Sequence, residues 1–374
     1  MKILMLSKAL VVGAYQRKLE EIARHGEVDL VAVVPPSWRD RAYEMRLERV
    51  DADCYELASS PIVFNGSYHL FFFPRLGRLL EDYRPDILHI DEEPYNLATF
   101  LSVLGARRRS IPAVFFTWQN LVRSYPPPFS WMERYVHRHA AWAIAGTNAA
   151  GEVLRAKGYR GAISIIPQFG VDPDIYRPGE RSPRPFTVGF AGRLVPEKGV
   201  ALLVDACARL GLDFRLSIAG AGPAEGAIRA RIAVHGLQDR ITLEGAIPSA
   251  LMPEWLQGCD LVVLPSVSRP NWVEQFGRAL VEAMACGVAV LGSTCGEIPR
   301  VIDDAGLVFP EGDATALASG LDRLAREPEL RAELGARGRQ RVIERFTHDH
   351  IARATIEVYR AMLSEAGNAP ARSA

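Results

Sequence analysis

The chain has 374 residues, 48% hydrophobic and 24% charged, with 44 basic side chains balanced by 44 acidic ones. The length suggests two domains of ordinary size, and the composition is that of a soluble globular protein. The even balance leaves no global basic field for nucleic acid, and no apolar run approaches the length of a bilayer span.

The first apolar run, "KILMLS" from Lys2, breaks at Ser7 and Lys8, so it reads as a first strand and not as a signal peptide. "VDLVAVV", "DILHI", "PAVFFTW" and "WAIAG" follow in the first half. "FTVGFAG", "FRLSIAG", "ITLEG", "LVVLPS" and "VAVLGS" occupy the second. Helix-like segments separate them, which argues for parallel sheets covered on both faces. The pattern runs once on each side of Asp172–Pro185, "DPDIYRPGERSPRP", the linker candidate. The predicted fold class is α/β, with two Rossmann-like, doubly wound parallel-sheet domains (1–171 and 186–346) facing across a cleft. Ligands in such folds sit beyond the carboxyl ends of the strands. A helical segment follows at about His348–Leu363, and the tail from Glu365 is expected to fray.

Five cysteines, Cys54, Cys207, Cys259, Cys286 and Cys295, are scattered without C-x-x-C spacing, which fits a reducing cytosol. Cys286 reads as core, and no cluster suggests a metal. No G-x-G-x-x-G follows the first strand, which counts against a dinucleotide oxidoreductase, and no P-loop sequence occurs. "AGAGP", Ala219–Pro223, has a Gly-x-Gly that tight-turn chemistry explains as well as a ligand does.

Behind "DILHI" come Asp91, Glu92 and Glu93. Adjacent carboxylates repel unless cations or hydroxyls meet them. Two readings stay open here. The acids complement the start of a helix after Pro94, or Asp91 and Glu92 hold sugar hydroxyls of an acceptor or draw a cation such as Arg123.

In "VEQFGRALVEAMACG", Val273–Gly287, the residues Ala279, Leu280, Ala283 and Met284 recur at helical spacing. Glu274 then lies in the loop before the helix and Glu282 more than a turn inside it, their carboxylates roughly 8 to 12 Å apart. Between them a helix N-terminus favours an anion, and Gly277 lets a ligand approach the backbone. This order suits a sugar hydroxyl at Glu274, a phosphate in the middle and a ribose at Glu282. Upstream, Thr187–Ala191 reads as a buried strand ending at Gly192 and Arg193. Pro196, Glu197 and Lys198 are expected to open a helix running through Leu202, Leu203 and Ala206. Arg193 and Lys198 then either clamp a diphosphate, one as a planar fork and one as a point charge, or are ordinary solvated charges.

"GFAGRLVPEKG", followed by "PSVSRPNWVEQFGRALVEAMACGVAVLGSTCGEIP", resembles the donor half of retaining family 4 glycosyltransferases of GT-B fold. "IIPQFGVDPDIYRP" resembles the segment that joins their two domains. The resemblance implies a metal-independent hexosyltransferase, with no cofactor beyond a nucleotide-diphosphate sugar, UDP- or GDP-linked, as co-substrate. It implies a cytoplasmic enzyme of polysaccharide synthesis whose acceptor is a glycan or glycolipid. It makes Arg193, Lys198 and Glu274 the catalytic set, with Gly192, Phe276, Gly277, Leu280 and Glu282 also at the donor. It also implies that residues 347–364 pack back on the first domain.

The chain departs from the family at three places. Gln119 and Asn120 stand where a His-Asp pair is frequent, and an amide cannot titrate near neutral pH. The first loop has one glycine, Gly13, where many relatives have two, and Arg300 stands where a glutamate is common. Gly13, Asp91, Glu92, Gln119 and Asn120 are the acceptor-side candidates. Another GT-B activity, a synthase or phosphorylase, and a catalytically retired binding subunit remain as alternatives. Finally, "SYHLFFFPRLGRLL" from Ser67, with Arg75 and Arg78, and "YPPPFSWMERYVHRHA" from Tyr125 mix aromatics and bases. Either is core packing or a lipid-contacting surface at the inner face of the membrane.

Overall fold

The computed structural model describes residues 1–40, 43–49, 54–180 and 184–368. In chain order the first elements are β1 (Lys2–Leu6), α1 (Arg17–Arg24), β2 (Asp29–Val34), β3 (Ser37–Asp40), β4 (Tyr43–Arg46), β5 (Glu56–Ser59), α2 (Leu76–Tyr83) and β6 (Ile87–Ile90). There follow α3 (Leu97–Arg107), β7 (Ala113–Thr117), α4 (Phe129–His139), β8 (Trp142–Ala145), α5 (Asn148–Ala156) and β9 (Ala162–Ile165). The second half holds β10 (Phe186–Ala191), α6 (Val200–Cys207), β11 (Phe214–Ala219), α7 (Glu225–Val234), β12 (Ile241–Gly245), α8 (Met252–Gln257) and β13 (Leu261–Leu264). It closes with α9 (Arg278–Ala285), β14 (Ala289–Ser293), α10 (Ile298–Ile302), β15 (Leu307–Phe309), α11 (Ala314–Arg326), α12 (Pro328–Arg345) and α13 (His348–Asn368).

The chain divides into two compact units, Met1–Gly170 with the segment from His348 on, and Val171–Thr347. The first contains a seven-stranded sheet in the order β5-β2-β1-β6-β7-β8-β9, parallel throughout. The second contains a six-stranded parallel sheet in the order β12-β11-β10-β13-β14-β15. Every residue of β6, β7, β13 and β14 is buried. Continuous apolar strands of this kind need helices on both faces, because neither side tolerates water. The edge strands β5 and β9 and the hairpin β3–β4 have mixed exposure, and the sequence reading gave none of them.

Helix α13 packs against α1, and the Tyr359 hydroxyl lies 2.6 Å from Nδ1 of His89 inside the first core. Within the expected linker, Tyr176 is buried in the second core, and Val171, just before the linker, bridges to Thr347. Residues 181–183 of that stretch lie outside the described residues, as does the end of the tail, 369–374. No described helix is long and apolar enough to cross a membrane.

Each sheet reverses its winding once. The chain lays down β1, β2 and β5 in one direction and then returns to place β6 on the other side of β1. In the second unit it lays down β10, β11 and β12 and then returns to place β13 beside β10. A crevice opens at the carboxyl end of such a pair, since the connections leave it in opposite directions.

Candidate functional site

The loops after β10 and β13 carry the donor-side residues to the reversal point of the second sheet. After β10, Pro196–Lys198 form a single 3-10 turn and not the start of a longer helix. Gly199 ends it at φ +69°, and α6 begins only at Val200. A Cβ at Gly199 would collide with the carbonyl oxygen of Pro265, so this loop is pressed against the end of β13. Glu197 C=O also accepts from the N–H of Val267.

That contact brings Lys198 to Glu274. Lys198 Nζ lies 2.6 Å from Glu274 Oε2, with the ammonium 5.5 Å from the centre of the Trp272 ring. Ser266 Oγ donates to the same carboxylate oxygen at 2.8 Å. The Glu274 main chain is held by the loop after β14. Its N–H donates to Cys295 Sγ at 3.4 Å, and its C=O accepts from Glu297 N–H at 3.2 Å. Gly296 passes so close that a side chain there would collide with that same carbonyl.

Glu282 lies on the second turn of α9. Its Oε1 accepts from Arg278 Nε at 2.7 Å, one turn earlier, and lies 3.4 Å from the Tyr176 hydroxyl. Burial raises the Glu282 carboxyl above its usual range, against the pull of Arg278 and Tyr176. The N-terminus of α9 has no side-chain cap, and the dipole of a helix start favours an anion.

The remaining predicted donor residues divide by burial. Arg193 is exposed and makes no side-chain hydrogen bond or ion pair among the described residues. Gly192 donates its N–H to Ala219 C=O at 3.0 Å. Phe276 stacks edge-on against Phe346 at 5.6 Å. Leu280 is fully buried in the core, so its side chain is packing and not a ligand surface. Gly277 has a conformational reason as well: it adopts φ +82° to start α9, and a Cβ would press on Leu264 and Leu280.

The reversal point of the first sheet has a similar construction. The strand-end carboxylates are not open to water: each meets its own partners. Ser7 Oγ donates to Asp91 Oδ2 at 2.8 Å, and Lys18 Nζ is 4.0 Å from Asp91 Oδ1. Glu92 is paired with the Lys8 ammonium and also accepts from the Lys8 N–H at 3.0 Å. Glu93 accepts from Thr117 Oγ1 at 2.6 Å and from the Trp118 N–H at 2.8 Å. The cations that answer these acids are therefore Lys8 and Lys18, and Arg123 acts instead beside Tyr95 and Tyr125. Sequence reading missed both lysines because their partners lie more than seventy residues away.

Burial sets the protonation of this cluster. It works to raise Asp91, but Lys18, His89, Ser7 and Gln168 hold that carboxyl below the usual range. It raises Glu92 despite Lys8, and pushes Glu93 up to about 7 although Thr117 and Trp118 oppose it. His89 is driven down to about 3 and is neutral. Among the described residues, no group of three or more His, Cys, Asp or Glu side chains is arranged to hold a metal ion.

Residues 173–341 match the family described as glycosyl transferases group 1, and residues 12–168 match the glycosyl transferase 4-like domain. The chain belongs to the group 1 glycosyl transferase family. It is 32% identical over 260 residues to alpha-maltose-1-phosphate synthase of Mycolicibacterium smegmatis, across 62% of this chain and 66% of that protein. It is 29% identical to the putative colanic acid biosynthesis glycosyltransferase WcaL of Escherichia coli, across 73% of this chain and 69% of that protein. Across the curated relatives it matches, the chain spans about half to two thirds of their length. Anabaena HepE in complex with UDP has the same fold, with a TM-score of 0.72 at 19% identity over 96% of this chain and all of that one. These likenesses show the GT-B type of architecture, two Rossmann-like halves.

Within this family the three departures acquire local explanations. Gln119 is buried, accepts from Lys157 Nζ at 3.4 Å and donates to Leu121 C=O at 3.1 Å, so its amide is oriented by the protein. Asn120 beside it is half-buried. Arg300 lies 3.5 Å from the buried carboxylate of Glu297, three residues earlier on the same turn. Gly13 opens a 3-10 turn and donates its N–H to Glu48 Oε2 at 2.7 Å.

Proposed function

We propose that the chain transfers a sugar, with retention of configuration, from a nucleotide-diphosphate sugar to a hydroxyl of a glycan or glycolipid acceptor in cell-surface polysaccharide synthesis. The observation that carries this reading is the meeting of Lys198 and Glu274 at the reversal point of the second sheet, beside the uncapped start of α9. One grips a diphosphate and the other a sugar, and the helix start lies between them and Glu282. HepE, of the same fold, has been crystallised with UDP and with UDP-glucose, which supports a uridine or related nucleotide here.

In this mechanism Lys198 and Arg193 neutralise the departing diphosphate, the main electrostatic demand of the step. Glu282 accepts hydrogen bonds from the ribose hydroxyls, and Glu274 holds the donor sugar with the backbone at Phe276 and Gly277. The bond from the anomeric carbon to phosphate oxygen breaks on the face where the acceptor oxygen arrives. The acceptor proton passes to the leaving phosphate oxygen, so no protein carboxylate becomes covalently attached and no metal ion is required. The acceptor side is assigned to Asp91, Glu92, Gln119 and Asn120 in the first unit. Gln119 serves there as a hydrogen-bonding group and not as a base.

Contact with an anionic membrane surface belongs to the same proposal, in keeping with a cytoplasmic protein at the inner face. Phe71 and Phe73 are core, but Trp131 is 60% exposed, and Arg134 and Arg138 stand exposed at i+3 and i+7 from it on α4.

A thermal-shift panel of UDP-, GDP- and ADP-sugars, followed by product analysis, tests the function. One base should raise the melting temperature, since ligand at a hundred times its Kd adds about 2.7 kcal/mol. Release of nucleoside diphosphate with a retained glycosidic product completes the case. Binding without any turnover favours the retired subunit, and use of inorganic phosphate favours a phosphorylase.

A further inference from the structure

Oε2 of Glu274 is held by two donors of different kinds, the charged Lys198 at 2.6 Å and the neutral hydroxyl of Ser266 at 2.8 Å. A diphosphate that reaches Lys198 competes with Glu274 for the same ammonium, whose three N–H donors are then shared between two anions, so its hold on the carboxylate weakens. A carboxylate tied to the lysine alone would follow it or rotate away. We propose that Ser266 is a positioning residue: its hydroxyl keeps the Glu274 carboxylate in place while Lys198 turns to the diphosphate. This rests on the donor site described above.

The surroundings of Ser266 fit that task. It sits two residues beyond β13, the strand at the reversal point, with 0% of its surface exposed. Its own carbonyl accepts from Ser293 Oγ at 2.5 Å, which ties it to the last residue of β14. Ser293 Oγ also lies 3.4 Å from the N–H of Cys295, and Cys295 Sγ receives the Glu274 N–H. The serine that holds the side chain and the cysteine that holds the main chain thus share one anchor. Both are set by strand ends and not by mobile loop tips, as a group that must not move during charge exchange requires. Sequence inspection passes over Ser266, since it carries no charge and precedes Glu274 by eight residues.

The test uses the full chain, with UDP-glucose, GDP-mannose and ADP-glucose as donors and release of nucleoside diphosphate into water as a readout that needs no acceptor. For the donor that turns over, Ser266→Ala should lower kcat at least tenfold. It should leave affinity for the free nucleoside diphosphate within twofold, because that molecule lacks the sugar Glu274 holds. Ser266→Thr, which retains the hydroxyl, should recover most of the rate. Should Ser266→Ala not fold, Ser266→Cys takes its place, with a weaker donor of similar size and the same expected loss. A kcat within twofold of wild type overturns the proposal, and so does a loss of diphosphate affinity in proportion to kcat. A wild-type chain that binds none of the three nucleotides overturns the donor site itself, whereas a working wild type with an unaffected variant overturns only the role of Ser266.

Discussion

Lys198 and Glu274 meet at 2.6 Å across the point where the second sheet reverses its winding, the lysine following β10 and the glutamate following β13. The first sheet repeats the relationship: Lys8 follows β1 and pairs with Glu92, which follows β6. In both units a cation from the first strand answers a carboxylate from the strand across the crevice. The two pairs differ in setting. Lys8 is surrounded by the rings of Trp38, Tyr68 and Phe71, whereas Lys198 has Trp272 near it and an uncapped helix start beyond.

Lys198→Ala should reduce transfer by about a hundredfold or more, the scale seen when a group stabilising transition-state charge is removed, and Glu282→Ala should cripple it by loosening the hold on the ribose. Lys198→Ala also strands a buried carboxylate and should lower stability, whereas Lys198→Ala with Glu274→Gln should melt closer to wild type. Circular dichroism melts beside donor turnover separate the two effects. Near-normal turnover in both single variants rejects the site.

Glu274→Gln should impair sugar transfer more than binding of free nucleoside diphosphate, which has no sugar for the carboxylate to hold. Calorimetry with UDP against steady-state rates with UDP-glucose makes the comparison. Equal losses in both would move Glu274 away from the sugar.

Lys8→Met should destabilise the first unit by about 3 to 5 kcal/mol, the usual cost of leaving a buried carboxylate without its cation. The double variant Lys8→Met with Glu92→Gln should regain most of it, since neither buried charge remains. Denaturant unfolding of the three proteins measures this; a single variant as stable as wild type contradicts the pairing.

Glu93 makes stability depend on pH in a stated direction. Its carboxyl is raised from 4.5 to about 7 by burial, so the folded state holds a proton that the unfolded chain has released. That contribution is fully present below about pH 4.5 and is lost as the pH rises through about 7, at most about 3 kcal/mol in all. Glu93→Gln should flatten the wild-type decline between those limits. Parallel stability–pH curves for the two proteins would refute the shift.

If α4 meets a membrane, the chain should co-sediment with anionic liposomes at low salt, and Trp131→Ser with Arg134→Gln should release most of it. Wild-type protein that stays in the supernatant at low salt removes membrane contact from the proposal.

The sequence makes the two-fold alternation of strand and helix legible, because buried parallel strands need unbroken apolar runs such as "AVFFT" and "LVVL". It also determined that Glu274 precedes α9 and Glu282 lies within it, because helical spacing and Gly277 are local signals. It erred where geometry overrode propensity, reading Pro196–Lys198 into a helix that Gly199 interrupts. It could not read the short edge strands, whose mixed exposure leaves no period. Which charges meet is set by long-range packing. Lys8 with Glu92 and Lys198 with Glu274 are joined by strand order, and strand order is fixed by how remote segments bury one another, a relation no local spacing records.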